Sequence, residues 1–188
     1  GDDGMRILCL ALRRAQDELR DLHLRECSVT AKGAVWLGQV LGDFHCKITH
    51  LMLGGNNLGD EGVCRLCDGF RQGQCKLDAL SISNCSVTDK CMPHLSEAIG
   101  DKKCRLTDLS LSRNDIGDKG AETLFIALTV TRSSLTKLNL SRCSLTKKCM
   151  TSLCGALCTE HCQVTNLNLD VNNIGDEGIE MLCRVLVK

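Results

Sequence analysis

Residues 106–128 read LTDLSLSRNDIGDKGAETLFIAL, and a change of period inside this stretch decides the fold. Leu109 and Leu111 alternate with Asp108, Ser110 and Ser112. That period of two describes a short strand with one apolar face. Further on, the apolar residues fall at Ala121, Leu124, Phe125 and Leu128. Their i, i+3, i+4, i+7 spacing is one face of an amphipathic helix. The unit is therefore strand, turn, helix and return loop.

The unit recurs. Apolar residues open it at Leu19, Ile48, Leu77, Leu106, Leu135 and Val164, in steps of 29. Leu stands at the fourth place, Leu or Ile at the sixth, Asn or Cys three places later, and an aliphatic residue two beyond that. One unit cannot bury its own apolar face, and stacking such units makes one continuous core. The expected architecture is α/β: a right-handed curved solenoid with parallel strands on the concave face and helices on the convex face. The chain divides into a half repeat, 1–18, and repeats 19–47, 48–76, 77–105, 106–134, 135–163 and 164–188 of a single domain.

Composition agrees with a slot reused many times. The chain has 188 residues but only one Trp, three Phe and no Tyr, so aliphatic side chains must fill the core. Its 23 basic and 23 acidic side chains cancel, which gives no overall pull on nucleic acid or anionic lipid. No apolar run approaches the ~20 residues of a membrane span. Asp60, Asp118 and Asp176 stand ahead of their helices, and Thr30, Thr88 and Thr146 stand one place earlier in the other units. All six are expected helix caps. Pro93 predicts a late or distorted start to the helix of the third full repeat.

The fifteen cysteines fall mostly on equivalent places. Cys27, Cys85 and Cys143 alternate with Asn56, Asn114 and Asn172 as a structural ladder at the turn. An Asn side chain there can satisfy both donors and acceptors, and Cys fits the slot with a weaker bond. Cys9, Cys67, Cys154 and Cys183 share a core-facing helix place. The favoured reading is small buried thiols in a reducing compartment, without disulfides. Cys64 and Cys67 are spaced CxxC, but Cys67 belongs to the core face and no second converging pair is evident. No metal or cofactor is expected. Trp36 lies on an outward helix place, either under a preceding domain or simply exposed.

The alternation of Leu-x-(Leu/Ile)-x-x-Cys-Ser-(Val/Leu)-Thr with Leu-x-Leu-x-x-Asn-x-(Leu/Ile)-Gly-Asp resembles the ribonuclease-inhibitor subfamily of leucine-rich repeats. Gly59-Asp60-Glu61-Gly62-Val63-Cys64-Arg65-Leu66-Cys67 and Cys75-Lys76-Leu77 are similar to the C-terminal repeat domain of NOD-like receptors, the NACHT–LRR family. The resemblance runs the length of the chain and rests on scaffold residues. It implies a cytosolic protein-binding module of an innate-immune receptor, which senses a ligand or holds the receptor inactive.

Binding is expected on the concave face. Its candidate residues are His23, Arg25, His50, Met52, Arg113, Lys137, Asn139, Arg142, Asn168 and Asp170. The expected partner is another protein or an adjacent domain of the same chain, with no nucleic acid and no membrane. The chain opens on Gly1-Asp2-Asp3-Gly4, which matches Gly175-Asp176-Glu177-Gly178, so it starts in mid-unit without a polar cap. A fragment of a longer receptor, and self-association through uncapped ends, are the corresponding expectations. The alternative is a stand-alone cytosolic repeat protein that inhibits or regulates an enzyme, like ribonuclease inhibitor or a GTPase activator. Catalysis is not expected, because no nucleophile with an orienting acid is recognisable beside His23 and His50.

Overall fold

The computed structural model describes residues 1–14, 18–72 and 75–187. Helix and strand alternate throughout: α1 (Asp2–Arg14), β1 (Asp21–His23), α2 (Ala31–Leu41), β2 (His50–Met52), α3 (Gly59–Arg71), β3 (Ala79–Ser81), α4 (Met92–Gly100), β4 (Asp108–Ser110), α5 (Gly117–Val130), β5 (Lys137–Asn139), α6 (Met150–Leu157), β6 (Asn166–Asn168) and α7 (Gly175–Leu186). The strands form one parallel sheet in sequential order, so β1 and β6 are its edges. Neighbours pair with Leu22, Leu51, Leu80, Leu109, Leu138 and Leu167 in one row. Parallel strands need crossovers, and here a helix supplies each one. Helices are wider than strands, so the stack curves with the sheet inside.

The leucine row faces the helices. Leu51, Leu80, Leu109 and Leu138 are almost fully buried, together with Leu53, Ile82, Leu111 and Leu140 two places on. Helix residues such as Leu66, Leu95, Phe125 and Leu153 close the core from the other side. Burying each such side chain is worth about 1.5–3 kcal/mol. At α2 and α3 the helix backbones themselves touch. A Cβ added at Gly69 would collide with the carbonyl of Gly38, and one at Gly38 with that of Arg65. Only glycine permits that approach.

Three details depart from the sequence reading. Helix α4 does start late, after a 3₁₀ turn at Asp89–Cys91, with Pro93 in its first turn. Yet α6 enters through an equivalent 3₁₀ turn, Lys147–Cys149, and carries no proline. Helix α2 starts directly at Ala31. What the two late helices share is Cys91 and Cys149 where α2 has Gly33, so the bulkier residue accompanies the tightened entry. Second, Cys183 is exposed, unlike buried Cys9, Cys67 and Cys154, because among the described residues α7 has a helix neighbour on one flank alone, α6. Third, Trp36 is part-buried and lies against the core rather than standing outward.

The helix caps also need correction. Thr30, Thr88 and Thr146 cap their own helices, their hydroxyls accepting from Lys32, Lys90 and Lys148 N–H at 3.3 Å. Asp60, Asp118 and Asp176 lie within the first turn of α3, α5 and α7, and none of those helices has a side-chain cap at its N-cap residue. Asp60 and Asp118 instead reach the next repeat. Asp60 accepts from Thr88 N–H at 2.8 Å and from its hydroxyl at 2.7 Å. Asp118 takes the same two bonds from Thr146, at 2.7 and 2.6 Å. Asp2 on α1 does likewise with Thr30.

The turn ladder joins the opposite flank. Asn114 Oδ1 accepts from the N–H groups of Cys85 and Val87, at 2.9 and 3.1 Å, in the repeat before. Its Nδ2 donates to Ile82 and Leu111 carbonyls, both at 2.8 Å. Asn56 and Asn172 repeat this arrangement with their own neighbours. Cysteine does less: Cys85 and Cys143 each donate one S–H to a carbonyl of the preceding repeat, Leu53 at 3.2 Å and Leu111 at 3.3 Å. Joints of two kinds therefore alternate along the stack. One is made by Asn amides and the next by Asp carboxylates.

Candidate protein-binding face

Alternate strand residues that avoid the core must face the concave side. The structure arranges them in three zones. At β1 and β2, His23 and Arg25 are exposed, while His50 Nδ1 lies 2.9 Å from Asp21 Oδ1 and 2.9 Å from the Thr49 hydroxyl. Met52, beside His23 in register, is half-buried. Arg25 lies across Gly54, where an added Cβ would meet its Nε at 3.4 Å.

The centre is a floor of small residues: Gly54, Ala79, Ser81 and Ser83 are all buried. A chain of hydroxyls crosses it. Ser81 and Ser83 Oγ are 3.1 Å apart, Ser83 and Ser110 Oγ 2.9 Å, and Ser110 reaches Ser112 at 3.5 Å. The sequence showed these serines as small and polar. Their linkage across two strands depends on register and could not be read along the chain.

The third zone, at β4 to β6, is charged. Lys137 pairs with Asp108 at 3.7 Å. Asn139 and Asn168 turn their Oδ1 atoms back onto Ser141 and Asp170 N–H, at 3.0 and 2.8 Å, so part of each amide is already engaged. Arg113 and Arg142 sit side by side in successive repeats, both exposed. Among the described residues, neither they nor Arg25 take part in an ion pair. Asp170 is exposed two places beyond β6.

Arg113 and Arg142 occupy the eighth place of their units, where the backbone is left-handed in every repeat. The φ values are 53° at Glu26, 75° at Gly55, 52° at Asn84, 59° at Arg113, 54° at Arg142 and 56° at Val171. Glycine adopts this conformation freely and Asn tolerates it, whereas other residues pay about 1–2 kcal/mol. The scaffold alone would favour Gly or Asn at these two positions.

Cys143 and Cys149 are buried thiols. Burial pushes the Cys143 thiol up to about 11, and burial with the neighbouring Asp118 carboxylate pushes Cys149 up to about 12. Such thiols stay protonated and are poor nucleophiles at neutral pH. All fifteen are free. Among the described residues, no group of three or more His, Cys, Asp or Glu side chains could hold a metal ion, and no helix is long and apolar enough to cross a membrane.

Family models described as leucine-rich repeats match residues 44–67, 102–125 and 161–183, and a second such model matches 134–156. Together they span half of the chain. The chain belongs to the leucine-rich-repeat family. Its repeats are similar to those of NACHT, LRR and PYD domains-containing proteins. Protein 14 of that series from Homo sapiens is 44% identical over 72 residues, which is 38% of this chain and 6% of the human protein. Protein 3 from Bos taurus is 43% identical over 68 residues, 36% of this chain and 6% of the bovine protein. The matched stretch is thus a small part of each relative's length.

Two solved structures share the fold. The leiomodin-1 actin-binding site 2 superposes with a TM-score of 0.62 at 15% identity, covering 80% of this chain and 88% of that one. A chain of the yeast Rad7–Elc1 complex gives 0.61 at 23%, covering 85% and 38%. At these identities the leucine-rich-repeat architecture is what they hold in common.

Proposed function

We propose that these leucine-rich repeats form the ligand-sensing or autoinhibitory module of a NOD-like receptor, with the concave face as the surface that holds a protein partner or an adjacent nucleotide-binding domain. One observation carries this reading: the concave face presents unpaired charge that the fold does not use. Arg25, Arg113 and Arg142 stand in the turns that follow their strands, and their head groups have no ion-pair partner among the described residues. The similarity to proteins named for both NACHT and LRR domains supports that receptor class. Fifteen free thiols suit a reducing cytoplasm.

The test is binding of the chain to a purified NACHT-type module, followed by calorimetry. Ser112→Trp places a large side chain at the middle of the concave face, and Glu61→Arg alters the convex face instead. The expected result is loss of binding with Ser112→Trp and retention with Glu61→Arg. The opposite pattern, or no binding by the unaltered chain, overturns the proposal.

A further inference from the structure

Resting on that reading of the concave face, we infer that the partner presents an extended acidic segment, which lies across the floor of small residues and places its carboxylates on Arg113 and Arg142. Three observations point the same way. The floor is low: Gly54, Ser83 and Ser112 follow one another across adjacent strands and leave room for a backbone rather than for bulky side chains. The serine hydroxyls offer hydrogen bonds to such a backbone. Charge is the third. Asp108 already neutralises Lys137, and Asp21 holds His50, while Arg113 and Arg142 stand together without an ion-pair partner among the described residues.

The backbone does not call for arginine at either place. Both arginines sit in the left-handed place that Gly55 and Asn84 fill at low cost, and that Glu26 and Val171 fill as well, so the turn does not select arginine. Their presence is therefore not explained by the turn they occupy. Parallel strands lie about 4.8 Å apart, so the two guanidinium groups can grip one carboxylate or two neighbouring ones. An acidic chain running across the strands would meet both at once.

The assay is fluorescence anisotropy with a labelled peptide of alternating glutamate and serine, against a counterpart with glutamine for glutamate. The expected results are binding of the glutamate peptide only, and weakening as salt is raised from about 50 to about 300 mM. Arg113→Glu/Arg142→Glu should lose about tenfold or more of that affinity. Arg113→Gly/Arg142→Gly should lose affinity while its Tm is unchanged or higher, an outcome that a purely structural role for the arginines would reverse. Equal binding of the two peptides, or full affinity in the glutamate-substituted chain, overturns the inference. If Ser112→Trp still blocks the NACHT-type module in that event, the concave face remains the interface and only the acidic partner is wrong.

Discussion

Both carboxylate oxygens of Asp60 accept hydrogen bonds from Thr88, one from its backbone N–H at 2.8 Å and one from its hydroxyl at 2.7 Å. The two residues stand 28 apart in sequence and on different repeats. The Thr88 hydroxyl in turn accepts from Lys90 N–H, so a carboxylate of one repeat organises the helix start of the next. Asp60→Ala should cost about 1–2 kcal/mol, and Thr88→Val a similar amount. A double-mutant cycle by urea unfolding should give a coupling of about 1 kcal/mol, and additive losses would show that the contact carries no energy.

Asn114 satisfies four backbone groups at once. Asn114→Ala strips these bonds in a buried turn, where only the Leu111 carbonyl keeps a partner, the Cys143 thiol, and should cost about 3 kcal/mol or more. Cys85→Ala removes one weak S–H bond and a small volume, so it should cost about 1 kcal/mol. Chemical denaturation of the two variants ranks them directly.

The wiring also fixes which deletions are tolerated. Removing 77–105 places one Asn-type repeat against another, so Asp60 loses its threonine and Asn114 loses the cysteine turn it binds. Removing 77–134 takes out twice as much but keeps the alternation. The longer deletion should give the higher Tm and the sharper unfolding transition. A more stable shorter deletion would contradict the alternation of joints.

Two glycines in helices should respond in opposite directions. Gly69→Ala drives a methyl group into the Gly38 carbonyl and should destabilise by about 2–4 kcal/mol. Gly155→Ala in α6 meets nothing within 4 Å and should stabilise by about 0.5–1 kcal/mol. Thermal unfolding of the pair distinguishes tight helix contact from simple helix propensity.

Acid should weaken the fold through the carboxylates. Burial alone would raise the Asp118 carboxyl, but the bonds from Thr146 outweigh it and hold the group below the usual range. Asp2 behaves in the same way through Thr30 and Gly33. A depressed native value means the stabilisation is fully present above the unfolded value of about 3.9 and is lost as pH falls through the native one. Tm should therefore be flat above about pH 5 and fall below about pH 4. In Asp118→Asn that acid loss should be smaller, from a lower starting Tm.

Much of this architecture was legible because the chain repeats itself. Leu22, Leu51 and Leu80 advertise one strand slot, and Val63, Leu66 and Cys67 one helix face, with little interference from other constraints. What could not be read were contacts between units. Asp60 sits where an N-cap is expected, yet its partner lies in the adjacent repeat, a neighbour in space and not in sequence. The recurrence of Asp and Thr 28 residues apart, at 2 and 30, 60 and 88, and 118 and 146, was the available signal. The serine chain from Ser81 to Ser112 was hidden for the same reason. Cys183 followed its ladder in sequence but not in burial, since burial depends on what packs against α7.

The alternating joints give the solenoid a grain. The amide joint at Asn114 is indifferent to protons, whereas the carboxylate joint at Asp118 is weakened by them. A stack wired in this way comes back to the same joint only after two repeats, so its smallest self-consistent building element is the pair.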